Sequence, residues 1–531
     1  MKRIVSVLAA LMLLLSVFAG CTSQSAAEAT QANASPGTTA TTVLASDTAA
    51  TDSTMFTDRD KEIGYSEATS TIVTLADNAT TVNGAGATVA ENTITISAEG
   101  TYIFSGSLSN GQIIVDAADD AKIQIVLNGV DITNESSAAI YVKNANKVFV
   151  TTASNTKNTL ATTGEYVAVD ENTIDAAIFS KSDLTLNGAG TLTINSKYGH
   201  GVVSKDDLAV TCGTYVITAA SNGLSGKNSV RVADGTFTIT AGKDGIHSEN
   251  TDDTTLGFVY IAGGTINISA EKQGVQGTTE VNILGGTIDI TKSYEGIEGL
   301  EINISGGAIT IVSSDDGLNA AGGNDGSGNM GQGNMNAVDG CLINISGGTL
   351  TVDASGDGID SNGSLTISGG VITVNGPTQQ GNGAIDFNGT AVITGGTLFG
   401  ASNGGMDEGL SDTSSQCSIT YALTAVQQAG SSVTLKDDSG KVVAEFTPSK
   451  QFSAVYISVP ELTSGATYTL VVGSQEYSVA LTGTTFTNGG GMGFGGGQGG
   501  MGGHTGGPGG KGQAPQSGTG TDSTSSATVA Q

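Results

Sequence analysis

Through the middle of the chain, aliphatic and polar residues alternate over three to five positions, and these runs return about every 22 residues. One copy reads Gln273-Gly274-Val275-Gln276-Gly277, Val281-Asn282-Ile283, Gly285-Gly286 and Thr287-Ile288-Asp289-Ile290. The next has Glu295-Gly296-Ile297-Glu298-Gly299, Ile302-Asn303-Ile304, Gly306-Gly307 and Ala308-Ile309-Thr310-Ile311. A later copy has Asp357-Gly358-Ile359-Asp360-Ser361, Leu365-Thr366-Ile367, Gly369-Gly370 and Val371-Ile372-Thr373-Val374. Alternation with period two is the signature of strands, and the glycine pairs mark the turns between them. The glycines that lead the copies fall at Gly201, Gly223, Gly245, Gly274, Gly296, Gly317 and Gly358. Three short strands per copy, with no helical pattern between them, predict one coil of a solenoid. The fold class is therefore all-β, a right-handed parallel β-helix. A single coil cannot offset the entropy of ordering its own backbone; stacking shares one core among all of them.

The pattern also divides the chain. Residues 1–21 read as an export signal, with Lys2 and Arg3 ahead of the apolar run Ile4–Phe18. Its ending Ala19-Gly20-Cys21 resembles a bacterial lipobox, which makes Cys21 the expected lipidation site and anchors the chain to the outer face of the cell membrane. A transmembrane helix is the alternative, but the run is short for one. Residues 22–56 are rich in Ser, Thr and Ala and read as a flexible linker. The β-helix is assigned to 57–414, and a β-rich cap to 415–483, where Gly thins out and Val, Tyr, Ser and Thr alternate with Lys and Asp. Residues 484–531 form a Gly-rich tail, and a related insert, 322–339, is expected to bulge from one coil without order.

Composition adds constraints. There are 79 glycines and no tryptophan, which suits a narrow aliphatic core. The formal net charge of −30 excludes nucleic acid as a partner, since phosphate binding needs basic surface. Cys212, Cys341 and Cys417 are scattered and suggest neither a disulfide framework nor a zinc site.

Alignment on the leading glycine gathers the acids into two columns. The residue before it gives Asp244, Gln273, Glu295, Asp316 and Asp357, and Asp315 flanks this column. Two positions after it lie His247, Gln276, Glu298, Asn319 and Asp360, with Asp386 and Asp407 as expected continuations. The aliphatic residue between the columns points inward, so both columns face outward on one wall. Neighbours in a column lie about 4.8 Å apart, where bare carboxylates repel. Ca2+, which takes six to eight oxygens, removes that repulsion. The metal candidates are thus Asp244, Glu295, Glu298, Asp315, Asp316, Asn319, Asp357, Asp360, Asp386 and Asp407. The competing reading is a solvated acidic face with Asn and Gln ladders.

Acids on a β-helix suggest pectin-degrading enzymes, and a lyase of that kind needs a catalytic base. Lys243 and Lys272 border the acidic columns and are the candidates for a calcium-dependent lyase, although nearby carboxylates favour the protonated ammonium. Asp315-Asp316 and Gly199-His200-Gly201 superficially match polygalacturonase-type motifs, but their order is wrong for that chemistry.

Further segments carry a family resemblance: Gly111–Val115, Ala138–Lys143, Asp175–Lys181, Val203–Leu208, Gly242–Ile246 and Ser458–Leu462. Together they resemble the bacterial carbohydrate-binding parallel β-helix family of clostridial type, which is polysaccharide-lyase-like and binds cellulose and polygalacturonate. The resemblance runs from about residue 92 to 473. It implies bound calcium and sugar binding without cleavage. Cellulose recognition normally needs a strip of aromatic rings. Only Tyr198, Tyr260 and Tyr294 are candidates, which favours an acidic polysaccharide. The expected protein is a monomeric, lipid-anchored, noncatalytic polysaccharide binder. Its alternatives are the lyase and an adhesive surface stalk.

Overall fold

The computed structural model describes residues 54–168, 173–321, 337–403 and 405–488. The export signal with Cys21, most of the linker and of the 322–339 insert, and the tail from residue 489 lie outside them. None of the described helices is long and apolar enough to cross a membrane.

The predicted solenoid is present. Each coil contributes one strand to each of three ladders, as with Val275–Gly277, Glu280–Ile283 and Thr287–Ser293. Pairing between coils is parallel and in register: Val281, Ile302, Ile343 and Leu365 stack in one ladder. Ile288, Ile309, Leu350, Ile372 and Leu398 stack in another. All of these side chains are buried in a single continuous core. Alternation along each strand sends one set of residues inward and the other outward, which is why the core can be read from every second position.

The leading glycines have a packing reason. A Cβ on Gly274 would sit 2.6 Å from Ile290 Cδ1 and 2.7 Å from the carbonyl oxygen of Gly296 in the next coil. The second glycine of each pair has a different reason, because Gly286, Gly307, Gly370 and Gly396 turn at φ between 85° and 93°.

The ends are closed by antiparallel pairing. At one end Ala87–Ala90 folds back on Thr93–Ile96. At the other, Phe452–Ser458 pairs antiparallel with Thr397–Ser402 of the last coil. A four-stranded antiparallel sheet completes the β-rich cap.

The chain is ordered earlier than the predicted linker boundary at residue 56. Phe56 is 2% exposed and packs on Tyr260, with ring centroids 6.2 Å apart. Arg231 donates to the Met55 carbonyl at 2.9 Å. Asp60 pairs with Lys147 at 2.8 Å and accepts a hydrogen bond from Thr185. An apolar side chain in a polar stretch finds cover on the solenoid wall, and the polar residues beside it satisfy one another.

Candidate functional site

Strand pairing places the second predicted column in register. His247 pairs with Gln276, Gln276 with Glu298, Glu298 with Asn319, Asn319 with Asp360, and Asp360 with Asp386. The first column is held by a backbone ladder in which each leading glycine N–H donates to the column carbonyl of the next coil. Gly245 thus bonds Gln273, Gly274 bonds Glu295, Gly296 bonds Asp316, and Gly317 bonds Asp357. Side chains in this column add a second tie. Asn222 Oδ1 accepts the Asp244 N–H, Asp244 Oδ1 the Gln273 N–H, and Asp316 Oδ1 the Asp357 N–H at 2.6 Å.

The columns are not a solvated acidic face. Glu295 is 1% exposed, Glu298 3%, Asp316 6% and Asp357 8%. Burial, reinforced by the charges of Asp357, Asp315 and Glu295, pushes Asp316 up to about 9. Burial pushes Asp357 up to about 8 against the Gly383 N–H, with Asp360, Asp386 and Asp315 adding to the rise. Burial also raises Asp386. Asp316 and Asp357 so placed hold protons at neutral pH unless a cation takes over their charge.

Glu295, Asp315 and Asp316 each bring an oxygen within 4.8 Å of the other two. This donor set of hard oxygens fits Ca2+ better than a softer metal. Its surroundings orient it: Gln273 donates to one Glu295 oxygen at 3.1 Å, and Asn319 donates to the other at 3.0 Å. Asn319 here acts as a donor that aims Glu295.

Two predicted ligands are drawn elsewhere. Asp244 lies 2.9 Å from His247 Nδ1. Asp407 does not continue the column, because no strand follows Ile385–Phe387 in that ladder. Its carboxylate instead accepts from Ser402, from the Ala384 N–H at 3.0 Å and from Tyr456 at 3.2 Å, at the junction with the cap.

Beside the carboxylates runs a groove of about 960 Å³. Asp244, His247, Gln273, Gln276, Glu295 and Glu298 lie in it, with Lys243, Lys272 and Tyr294 on one side. Burial lowers His200 to about 4, despite the Asp175 carboxylate. His247 is pulled the other way: burial alone would lower it, but Asp244, Glu249 and Gln276 together raise it. Tyr294 is 41% exposed and Tyr198 46%, so both can meet a ligand. Tyr260 cannot, since it is 2% exposed beneath Phe56. Its position in an outward-facing column suggested a surface ring, but the N-terminal segment at Phe56 covers that wall.

Sequence reasoning missed Lys205 and Lys227, which line the same groove. The signal for them was a lysine just past the strand after each leading glycine, in Ser204-Lys205 and Gly226-Lys227. It also missed Glu408, raised by burial and then by the charge of Asp386, and a second acid cluster, Asp183, Asp206 and Asp207, elsewhere on the surface.

Residues 90–341 match the family model described as carbohydrate-binding domain-containing protein. The family resemblance holds over this stretch. A carbohydrate-binding domain-containing protein of Acetivibrio thermocellus is 38% identical over 136 residues, 25% of this chain and 48% of that protein. The chain thus spans about half the length of the curated relative that it matches. A solved structure of a polysaccharide lyase-like protein from C. thermocellum, a gadolinium derivative, is 32% identical. The match covers 47% of this chain and 96% of that one, with a TM-score of 0.41.

Proposed function

We propose that this protein binds polysaccharide without cleaving it, that its ligand is an acidic, uronate-containing glycan, and that Ca2+ held by the buried carboxylates takes part in binding. The observation that carries the reading is the trio Glu295, Asp315 and Asp316, whose oxygens converge beside an open groove. Burial excludes water from the ligating side and makes the uncompensated carboxylates costly, so a divalent cation has a strong electrostatic role there. The ion would keep coordination positions for oxygens of the glycan, and Tyr294 offers a ring face for a sugar. The family match over residues 90–341 supports polysaccharide as the ligand class. The lipobox-like Ala19-Gly20-Cys21 supports anchorage on the outer face of the membrane, where such a glycan is met.

A lyase is the second reading, favoured by the placement of Lys243 and Lys272 in the groove. One experiment separates the two. Purified protein is titrated with polygalacturonate and with cellulose, in calcium and in EDTA, while absorbance of unsaturated uronate products is followed. Binding that falls in EDTA with no rise in absorbance supports the proposal. Product formation that is lost in Lys243→Gln or Lys272→Gln establishes the lyase.

A further inference from the structure

The coils contain a second charge pattern, opposite in sign to the carboxylate columns. Val142 pairs with Ser180, Ser180 with Ser204, and Ser204 with Gly226. The residue after each of these is a lysine: Lys143, Lys181, Lys205 and Lys227. Four successive coils therefore stack lysine on lysine. The backbone confirms the stacking, since the Lys181 N–H donates to Val142, that of Lys205 to Ser180 and that of Lys227 to Ser204. In the next two coils the lysine moves across the groove, to Lys243 and then Lys272, tied together by the Lys272 N–H on the Lys243 carbonyl at 3.2 Å. Six consecutive coils thus present one lysine each. At about 4.8 Å per coil the six lysines span about 24 Å along the axis, with a sideways step across the groove after Lys227. It ends where Tyr294 begins the carboxylate half of the groove.

Such a row is costly by itself, because like charges directly opposite on paired strands destabilise them. The protein does little to neutralise it. The chain carries 50 acidic residues against 20 basic ones. Yet among the described residues no carboxylate lies within 4.0 Å of Lys181, Lys205, Lys243 or Lys272. All four are exposed. Lys143 and Lys227 pair with the exposed carboxylates Asp116 and Asp252. Of the acids that line the groove, Asp244 and Glu249 face His247, Glu271 pairs with Lys292, and Glu295 accepts from Gln273 and Asn319, with Glu298 beside it.

We infer that Lys143, Lys181, Lys205, Lys227, Lys243 and Lys272 form a metal-independent track for a linear polyanion, a glycan with one carboxylate per sugar, lying parallel to the solenoid axis. The match is one of pitch. A sugar in an extended chain is about as long as one coil is thick, so charges on the ligand meet charges on successive coils. The inference rests on the polysaccharide reading above and extends it. The cation-bearing half of the groove would bind carboxylates directly, whereas the carboxylate half binds through calcium.

The test uses the full chain stripped with EDTA and, separately, supplied with calcium. Its probes are hexagalacturonate and the neutral methyl ester of the same oligomer. The variant is Lys181→Gln/Lys205→Gln/Lys243→Gln/Lys272→Gln, all at exposed positions, with melting temperature and calcium uptake as controls for folding. In EDTA the wild type should bind hexagalacturonate, lose affinity as NaCl is raised and ignore the ester. The variant should bind about tenfold more weakly or worse, with its calcium uptake intact. Wild-type binding that requires calcium, or a variant that binds in EDTA as well as the wild type does, overturns the track and leaves the calcium reading standing. Absence of glycan binding in both calcium and EDTA defeats the polysaccharide reading and the track together.

Discussion

Replacing Asp316 by Asn should stabilise the calcium-free protein at alkaline pH and reduce its response to calcium. Asp316 is 6% exposed, and its carboxyl is raised from an ordinary 3.8 to about 9. Below pH 3.8 the group is protonated in both the folded and the unfolded chain and contributes nothing. Between 3.8 and about 9 the unfolded chain ionises while the folded one stays protonated, so folding becomes less favourable as pH rises. Each pH unit costs about 1.4 kcal/mol, which puts the upper limit at pH 8 at about 6 kcal/mol, shared with Asp357. Asparagine is neutral at every pH and has nearly the same shape. It also keeps the oxygen that accepts the Asp357 N–H, just as Asn222 accepts the Asp244 N–H. Urea melts in EDTA at pH 4.5, 6.5 and 8 should show D316N gaining on the wild type as pH rises. Added at a hundredfold excess over its Kd, calcium should stabilise the wild type by about 2.7 kcal/mol, and D316N by less. A D316N protein less stable than the wild type at pH 8 in EDTA, or a difference that does not vary with pH, would refute the reasoning.

Other predictions concern the histidines, the coils and the N-terminal strap. His200 and His247 should titrate apart by NMR, His200 near 4 and His247 above 6.5, because burial governs the first and Asp244 the second. The stability from the His247 interaction is full below pH 6.5 and disappears as pH rises through its folded value, so His247→Asn should destabilise more at pH 6 than at pH 9 in chemical melts. Gly274→Ala forces a Cβ against the carbonyl of Gly296 and should cost about 1–3 kcal/mol, read from the melting midpoint. Phe56→Ala should cost about 3 kcal/mol locally, seen as faster amide exchange at Met55–Lys61 with the coils unaffected. Tyr294→Ala should weaken glycan binding in affinity electrophoresis, since its exposed ring lines the groove.

The coil architecture was legible because each rung repeats the same physical solution. Inward aliphatics at every second position and a glycine where coils touch leave few other folds open, and Ile288 stacks on Ile309 as the spacing predicts. The columns were legible for the same reason, since equal spacing along the chain becomes vertical adjacency. Burial of the acids was not, because polar residues that alternate with inward aliphatics are usually wet, whereas Glu295 and Asp316 are buried among the neighbouring coils' side chains and backbone. Tyr260 failed through a contact between residues some two hundred positions apart, which no local period encodes. Asp407 failed because the array ends there, and periodic reasoning continued one coil too far. The first four lysines of the row were legible as the residues after the aligned strand ends Val142, Ser180, Ser204 and Gly226, a signal outnumbered by the acids.

The most direct test is calorimetric titration of calcium into EDTA-stripped protein at pH 7.5 in two buffers of different ionisation enthalpy. Saturable uptake that releases protons, and that is lost in the Glu295→Gln/Asp315→Asn/Asp316→Asn protein, is the predicted result. A stripped wild type that takes up no calcium, or a triple variant that takes it up unchanged, would contradict the metal site on which the functional reading stands.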